Sequence, residues 1–139
     1  MFPPDHALAA NQLGIIIVDH GSKREQANQM LMDFVALFDA HSGFRIVEPA
    51  HMELAEPSIA TAFSRCIDRG AGGIIIAPYF LSPGKHWDRD IPRLAAEAAA
   101  CHADFYFQVT APIGLHPLML EIVGSRIDEA MAHINVIRT

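Results

Sequence analysis

The sequence predicts an α/β fold: one open sheet of four parallel strands in the order 2-1-3-4, with helices on both faces. Three observations lead there. Short apolar runs rich in β-branched residues alternate four times with segments of helical character. The first and third runs are apolar without interruption, as strands buried on both faces are. Pro49 falls inside the second strand, where its missing N–H is tolerated mainly at a sheet edge.

The first strand is read at Leu13–Val18, ending at Asp19-His20-Gly21-Ser22. A helix follows from about Arg24 to Ala40, with Met30, Phe34, Leu37 and Phe38 at three- and four-residue spacing and Gly43 as the C-cap. The second strand runs from about Phe44 to Met52. Pro57-Ser58 opens a second helix to about Arg69, and Gly70 with Gly72-Gly73 ends it. Ile74–Pro78 is the third strand. After the loop Tyr79–Trp87, the acidic start Asp88-Arg89-Asp90-Ile91-Pro92 begins a third helix, to about Cys101. The fourth strand is expected from about Asp104 to Val109, and a last helix from Pro117 to near His133.

Right-handed crossovers restrict the topology, and the flavodoxin-like order 2-1-3-4 puts the Pro49 strand at an edge. Ligands of such sheets bind beyond the carboxyl ends of the strands, near the switch between strands 1 and 3. The loops at Asp19–Lys23 and Tyr79–Trp87 are therefore expected to face each other across a site.

The chain has 139 residues, 51% of them hydrophobic and 19% charged, which suits a single domain with its own core. Positions 1–12 are expected to form a flexible tail. No apolar run approaches the roughly 20 residues of a membrane span, and the first twelve residues resemble no targeting segment. A cytoplasmic location is expected, or the plastid stroma if a transit peptide has been removed. A net charge of −6 disfavours nucleic acid as a partner, but a small anionic ligand remains compatible with it. Cys66 and Cys101 share no CxxC spacing, so both are expected to be reduced and buried on helices.

Eight histidines make their placement informative. His6 lies in the tail. His41, His102 and His133 lie near helix C-termini, where a cationic or donor side chain suits the free carbonyls. His20, His51, His86 and His116 all fall at the carboxyl edge of the sheet. Neutral imidazole is a common ligand of transition metals and titrates near neutral pH, so a pair from opposite loops could hold a divalent ion or take a proton. The alternatives are a packed edge-strand histidine at His51 and a helix-capping loop residue at His116.

Other residues at that edge suit an anion or a flat ring. Gly21-Ser22 and Ser82-Pro83-Gly84 precede helices, so their N–H groups could point at a carboxylate or phosphate. Lys23, Arg24, Lys85 and Arg89 add positive charge; Tyr79 and Trp87 could stack on a ring or simply pack. Glu53 and Glu56 flank the end of the second strand. A carboxylate there could accept protons or be merely solvated. Gly21-Ser22-Lys23 lacks the leading glycine of a P-loop.

Val18-Asp19-His20-Gly21-Ser22 with Asn28, Glu48 through Ser58 (EPAHMELAEPS), Pro78 through Trp87 with Asp90-Ile91-Pro92, and Ala111 through His116 together resemble the short sirohydrochlorin chelatases. These are the small cobaltochelatases of vitamin B12 synthesis and the ferrochelatases of sirohaem synthesis. EPAHMELAEPS and GKHW look closest to the plant and cyanobacterial ferrochelatase branch. The likeness spans about positions 13 to 127. It implies a chelatase-like half-domain acting as a homodimer, with sirohydrochlorin and Fe²⁺, Co²⁺ or Ni²⁺ as substrates. It implies His20 and His86 as metal-binding and catalytic residues, with Glu53 as the matching carboxylate. Ser22, Lys23, Arg24, Ser82, Gly84, Lys85 and Trp87 would then bind the tetrapyrrole. No tightly bound cofactor is expected, since the chain lacks the cysteine-rich tail of some plant forms. Two other readings use the same edge: a metal chaperone or sensor without catalysis, and a binding domain for a small anion that would not need the histidines.

Overall fold

The computed structural model describes residues 2, 7–82, 84, 87–135 and 137. After a single 3-10 turn at Ala10–Gln12, the elements alternate: β1 (Leu13–Asp19), α1 (Glu25–Ser42), β2 (Ile46–His51), α2 (Ile59–Asp68), β3 (Gly73–Pro78), α3 (Trp87–Ala100), β4 (Phe107–Val109) and α4 (Pro117–Met131). The four strands form one parallel sheet in the order β2-β1-β3-β4. The predicted topology is therefore observed, with Pro49 on the edge strand opposite Ile17.

Alternation along β1 divides the core. Ile16 and Val18 point to the face covered by α2 and α3, where Ala62, Phe63, Cys66, Ile91 and Ala95 are buried. Ile15 and Ile17 point to the opposite face and meet Leu31 and Val35 of α1. Each large aliphatic side chain so buried contributes roughly 1.5–3 kcal/mol relative to exposure.

The stripe expected on α1 is shifted. Phe34 and Phe38 of that stripe do pack toward the sheet, but with Leu31 and Val35 in place of Met30 and Leu37, which are 73% and 62% exposed. The helix has apolar residues on more than one face, and only packing against β1 and β2 selects which is covered. Gly43 does cap α1, in the left-handed conformation expected of it (φ 79°).

Three further expectations need correction. The fourth strand is only three residues long, because Ala103 and Asp104 both take positive φ (56° and 55°) and form a turn where the strand was expected to begin. Pro92 lies inside α3 rather than at its start. Cys66 is buried in α2, but Cys101 lies just beyond α3 and is exposed.

Candidate functional site

The carboxyl ends of β1 and β2 are laced together beyond the sheet. Their register places Asp19 opposite His51. Past that point the Met52 amide donates to the Asp19 carbonyl (2.9 Å) and the Glu53 amide to the His20 carbonyl (3.1 Å). His20 and Glu53, a turn residue and a strand-end residue in sequence, thus become neighbours across one rung. On the other side of β1, the Tyr79 amide donates to the Val18 carbonyl (2.6 Å), which brings the loop after β3 alongside. The His20 ring lies 6.0 Å from that of Phe80 in this loop. The start of the second loop, Tyr79-Phe80, therefore lies beside the first as expected, while positions 83, 85 and 86 are outside the described residues.

Partial burial holds the His20 pKa below the ordinary imidazole value, against the opposing pull of the Glu53 and Asp19 carboxylates. The ring thus keeps its lone pair to lower pH than a free histidine would. Glu53 itself is exposed.

The turn carrying His20 is built from its own polar groups. The Gly21 amide donates to Asp19 Oδ1 (3.0 Å) and the Ser22 amide to Asn28 Oδ1 (2.9 Å). Asn28 Nδ2 donates back to the Ser22 carbonyl (2.8 Å), and Ser22 Oγ accepts the Arg24 amide (3.0 Å). The expectation that the Gly21 and Ser22 amides would bind an anion is therefore wrong: both donate within the turn. Lys23 and Arg24 are exposed beside it.

His51 is only 1% exposed, and its Nδ1 lies 2.6 Å from Asp19 Oδ1. A carboxylate only accepts, so Nδ1 carries the proton. The packed edge-strand reading describes its burial but not this partner. Nothing in the sequence signals it, since the partner follows from the register that ends β1 and β2 level, at an Asp and a His.

Other candidates separate. His116 is the N-cap of α4, its Nδ1 accepting the Leu118 amide (3.2 Å), as the capping alternative anticipated. Glu56 accepts from Thr61 Oγ1 (2.6 Å) and the Ser58 amide (3.1 Å) beside the N-terminus of α2, so it is engaged in local structure. The Thr61 bond is the main reason its pKa is lowered. His102 bonds Ser64 Oγ (3.0 Å) and stacks on Phe63. Tyr79 stacks on Phe34 with ring centroids 4.3 Å apart, so one of its faces is taken. Ser82 and Gly84 are exposed in the loop after β3, and Trp87 begins α3. His86, Lys85, Pro83 and His6 lie outside the described residues. Among the described residues, no three His, Cys, Asp or Glu side chains cluster as a metal site.

Beside Phe80 an apolar cavity of about 720 Å³ opens between Phe34, Tyr79, Ile113, His116 and Ile122. It faces α4, which buries none of its residues.

The CbiX family model matches residues 14–130. The chain is 51% identical over 121 residues to the chloroplastic sirohydrochlorin ferrochelatase of Arabidopsis thaliana, a match covering 87% of this chain and 54% of that protein. Among solved structures, the sirohydrochlorin chelatase SirB of Bacillus subtilis subspecies spizizenii, in complex with cobalt, superposes with a TM-score of 0.79 at 30% identity, over 85% of this chain and 50% of that one. A CbiX protein from Marinobacter aquaeolei shares the fold (TM-score 0.75, 24% identity), over 88% of this chain and 99% of that one. The chain thus spans about half the length of the Arabidopsis and Bacillus proteins that it matches. With nearly all of β1 through α4 matched by the family model, the chain belongs to the CbiX family.

Proposed function

We propose that this protein is a sirohydrochlorin chelatase, inserting Fe²⁺ or Co²⁺ into the tetrapyrrole in an aqueous compartment without a tightly bound cofactor. The observation that carries this reading is the lacing of β1 to β2, which sets His20 beside Glu53 at the carboxyl edge of the sheet, with Phe80 of the loop after β3 alongside. Membership of the CbiX family and the likeness to named ferrochelatases support it.

In this reading His20 and His86 hold the incoming ion through imidazole lone pairs. The lowered pKa of His20 suits that role, since a protonated ring binds no metal. Two pyrrole N–H protons must leave as M²⁺ enters. Glu53 accepts one, which from its exposed position it can pass to water, and a histidine takes the other once it has released the ion and its lone pair is free. No covalent intermediate is required. Lys23, Arg24 and Lys85, with the Ser22 hydroxyl rather than its amide and with Ser82 and Gly84, hold the substrate carboxylates, and Trp87 is the partner of the macrocycle. The apolar cavity beside Phe80 offers a wall for the ring.

A chain of this size is proposed to work as a homodimer. The exposed apolar side chains of α4, among them Leu118, Leu120, Ile122 and Val123, offer a face for a second copy.

The test is an anaerobic absorbance assay with sirohydrochlorin and Fe²⁺, Co²⁺ or Ni²⁺ on the wild type, His20→Ala and His41→Ala. Insertion faster than the protein-free rate, abolished in His20→Ala and retained in His41→Ala, is expected. Metal binding without acceleration by the folded protein would favour a non-catalytic metal carrier. Equal loss in His41→Ala would overturn the site.

A further inference from the structure

The proposed reaction assigns no role to the Asp19–His51 pair, although it is the most buried polar arrangement at the sheet edge. Placing a hydrogen-bonded imidazole and carboxylate there carries a desolvation cost that an apolar residue of similar volume would avoid. What the pair does provide is a chain of contacts. Asp19 Oδ1 accepts from His51 Nδ1 (2.6 Å) and from the Gly21 amide (3.0 Å) at once. Gly21 in turn packs so closely that an added Cβ would fall 3.2 Å from His51 Cβ and 1.8 Å from the Glu53 carbonyl oxygen. His20 stands between Asp19 and Gly21, and its carbonyl accepts the Glu53 amide.

We infer that His51 is a positioning residue: its Nδ1–H fixes the Asp19 carboxylate, which fixes the Gly21 amide, and so sets the turn that holds His20 against Glu53. Its ring is too buried to meet a tetrapyrrole directly, so it acts through Asp19 alone. Side chains that orient a ligating or catalytic histidine from behind commonly matter this way. The consequence for metal insertion rests on the chelatase reading; the contact chain itself does not.

Three variants separate the contributions of the ring. His51→Asn keeps an N–H donor at the same distance from Cβ as Nδ1. His51→Gln moves the amide outward by one bond. His51→Ala removes it. Each is measured for the Gly21 amide shift by ¹H–¹⁵N NMR, for affinity toward Co²⁺ alone, and for kcat and KM of insertion. His51→Ala is expected to lose about 10- to 100-fold in Co²⁺ affinity or kcat, with KM for the tetrapyrrole little changed. His51→Asn should restore most of the loss and the wild-type Gly21 shift, and His51→Gln should not. If His51→Ala does not fold, the Asn and Gln variants decide the matter alone. A folded His51→Asn as impaired as His51→Gln would overturn the inference, as would wild-type Co²⁺ affinity and kcat in His51→Ala. Should the wild type accelerate no insertion, the chelatase reading fails by itself. The Gly21 shift and Co²⁺ affinity then still decide the role of His51.

Discussion

The backbone of Gly21 lies directly against the carbonyl oxygen of Glu53, which a Cβ on Gly21 would approach to 1.8 Å. Gly21 also has φ +86°, a region that residues with a side chain rarely enter. Both faults would fall on one atom in Gly21→Ala. The expected outcome is a loss of about 2–4 kcal/mol in stability from strain and overpacking, read from the midpoint of urea unfolding. Insertion activity should fall with it, because the clash pushes His20 away from Glu53. A Gly21→Ala protein as stable and active as wild type would contradict the packing described.

The pH dependence of metal binding follows from His20. Burial lowers its pKa, while the Glu53 and Asp19 carboxylates pull it back up. Binding needs the neutral ring, so affinity should be complete near neutral pH. It should persist below the ordinary imidazole value and then disappear as pH falls through the lowered one. Glu53→Gln removes one of the raising charges, so the acid limb of Co²⁺ binding should move to still lower pH. A move to higher pH would show that the carboxylate does not act on His20 as described.

The two thiols should differ sharply. Burial pushes the Cys66 pKa up to about 12, in the core between α2 and the sheet, whereas Cys101 is exposed. Only the thiolate reacts. The native protein should therefore take up one equivalent of an alkylating reagent at neutral pH and a second only on unfolding, with mass spectrometry placing the first on Cys101.

The α4 face sets the expected assembly. Leu120 is 76% exposed and Val123 lies one turn on along the helix. Leu120→Glu combined with Val123→Glu should convert a dimer to a monomer in sedimentation velocity, since a buried unpaired carboxylate is strongly unfavourable. Unchanged sedimentation of the double variant would place the interface elsewhere.

Much of this architecture was legible in the residues. The uninterrupted β-branched runs of β1 and β3 placed those strands inside the sheet and Pro49 allowed β2 at an edge, and with right-handed crossovers and the flavodoxin-like arrangement they led to the observed strand order. The phase of α1 was not legible. Met30 and Leu37 fit a helical period as well as Leu31 and Val35 do, and only the sheet chooses between them. The early bend at Ala103 and Asp104 was hidden because neither residue marks a left-handed turn as glycine would. At the sheet edge, His20 could be placed from its position after β1. His51 could not be understood alone, since its partner is 32 positions away and meets it only through register. The amides of Gly21 and Ser22 looked free in sequence because Asp19 and Asn28, which take them, act through folded geometry.

The rungs joining Met52 to Asp19 and Glu53 to His20 have a mechanical meaning as well. They tie the turns just beyond β1 and β2 to each other by successive amides, so His20 and Glu53 are held at one spacing by backbone hydrogen bonds. One jaw of the proposed site thus cannot widen without breaking those two bonds. Ions of different radius would have to be accommodated from the opposite side, by the segment after β3 or by the ring itself. Preference among Fe²⁺, Co²⁺ and Ni²⁺ should accordingly be tuned by substitutions there, while changes on the β1–β2 jaw should weaken all three alike.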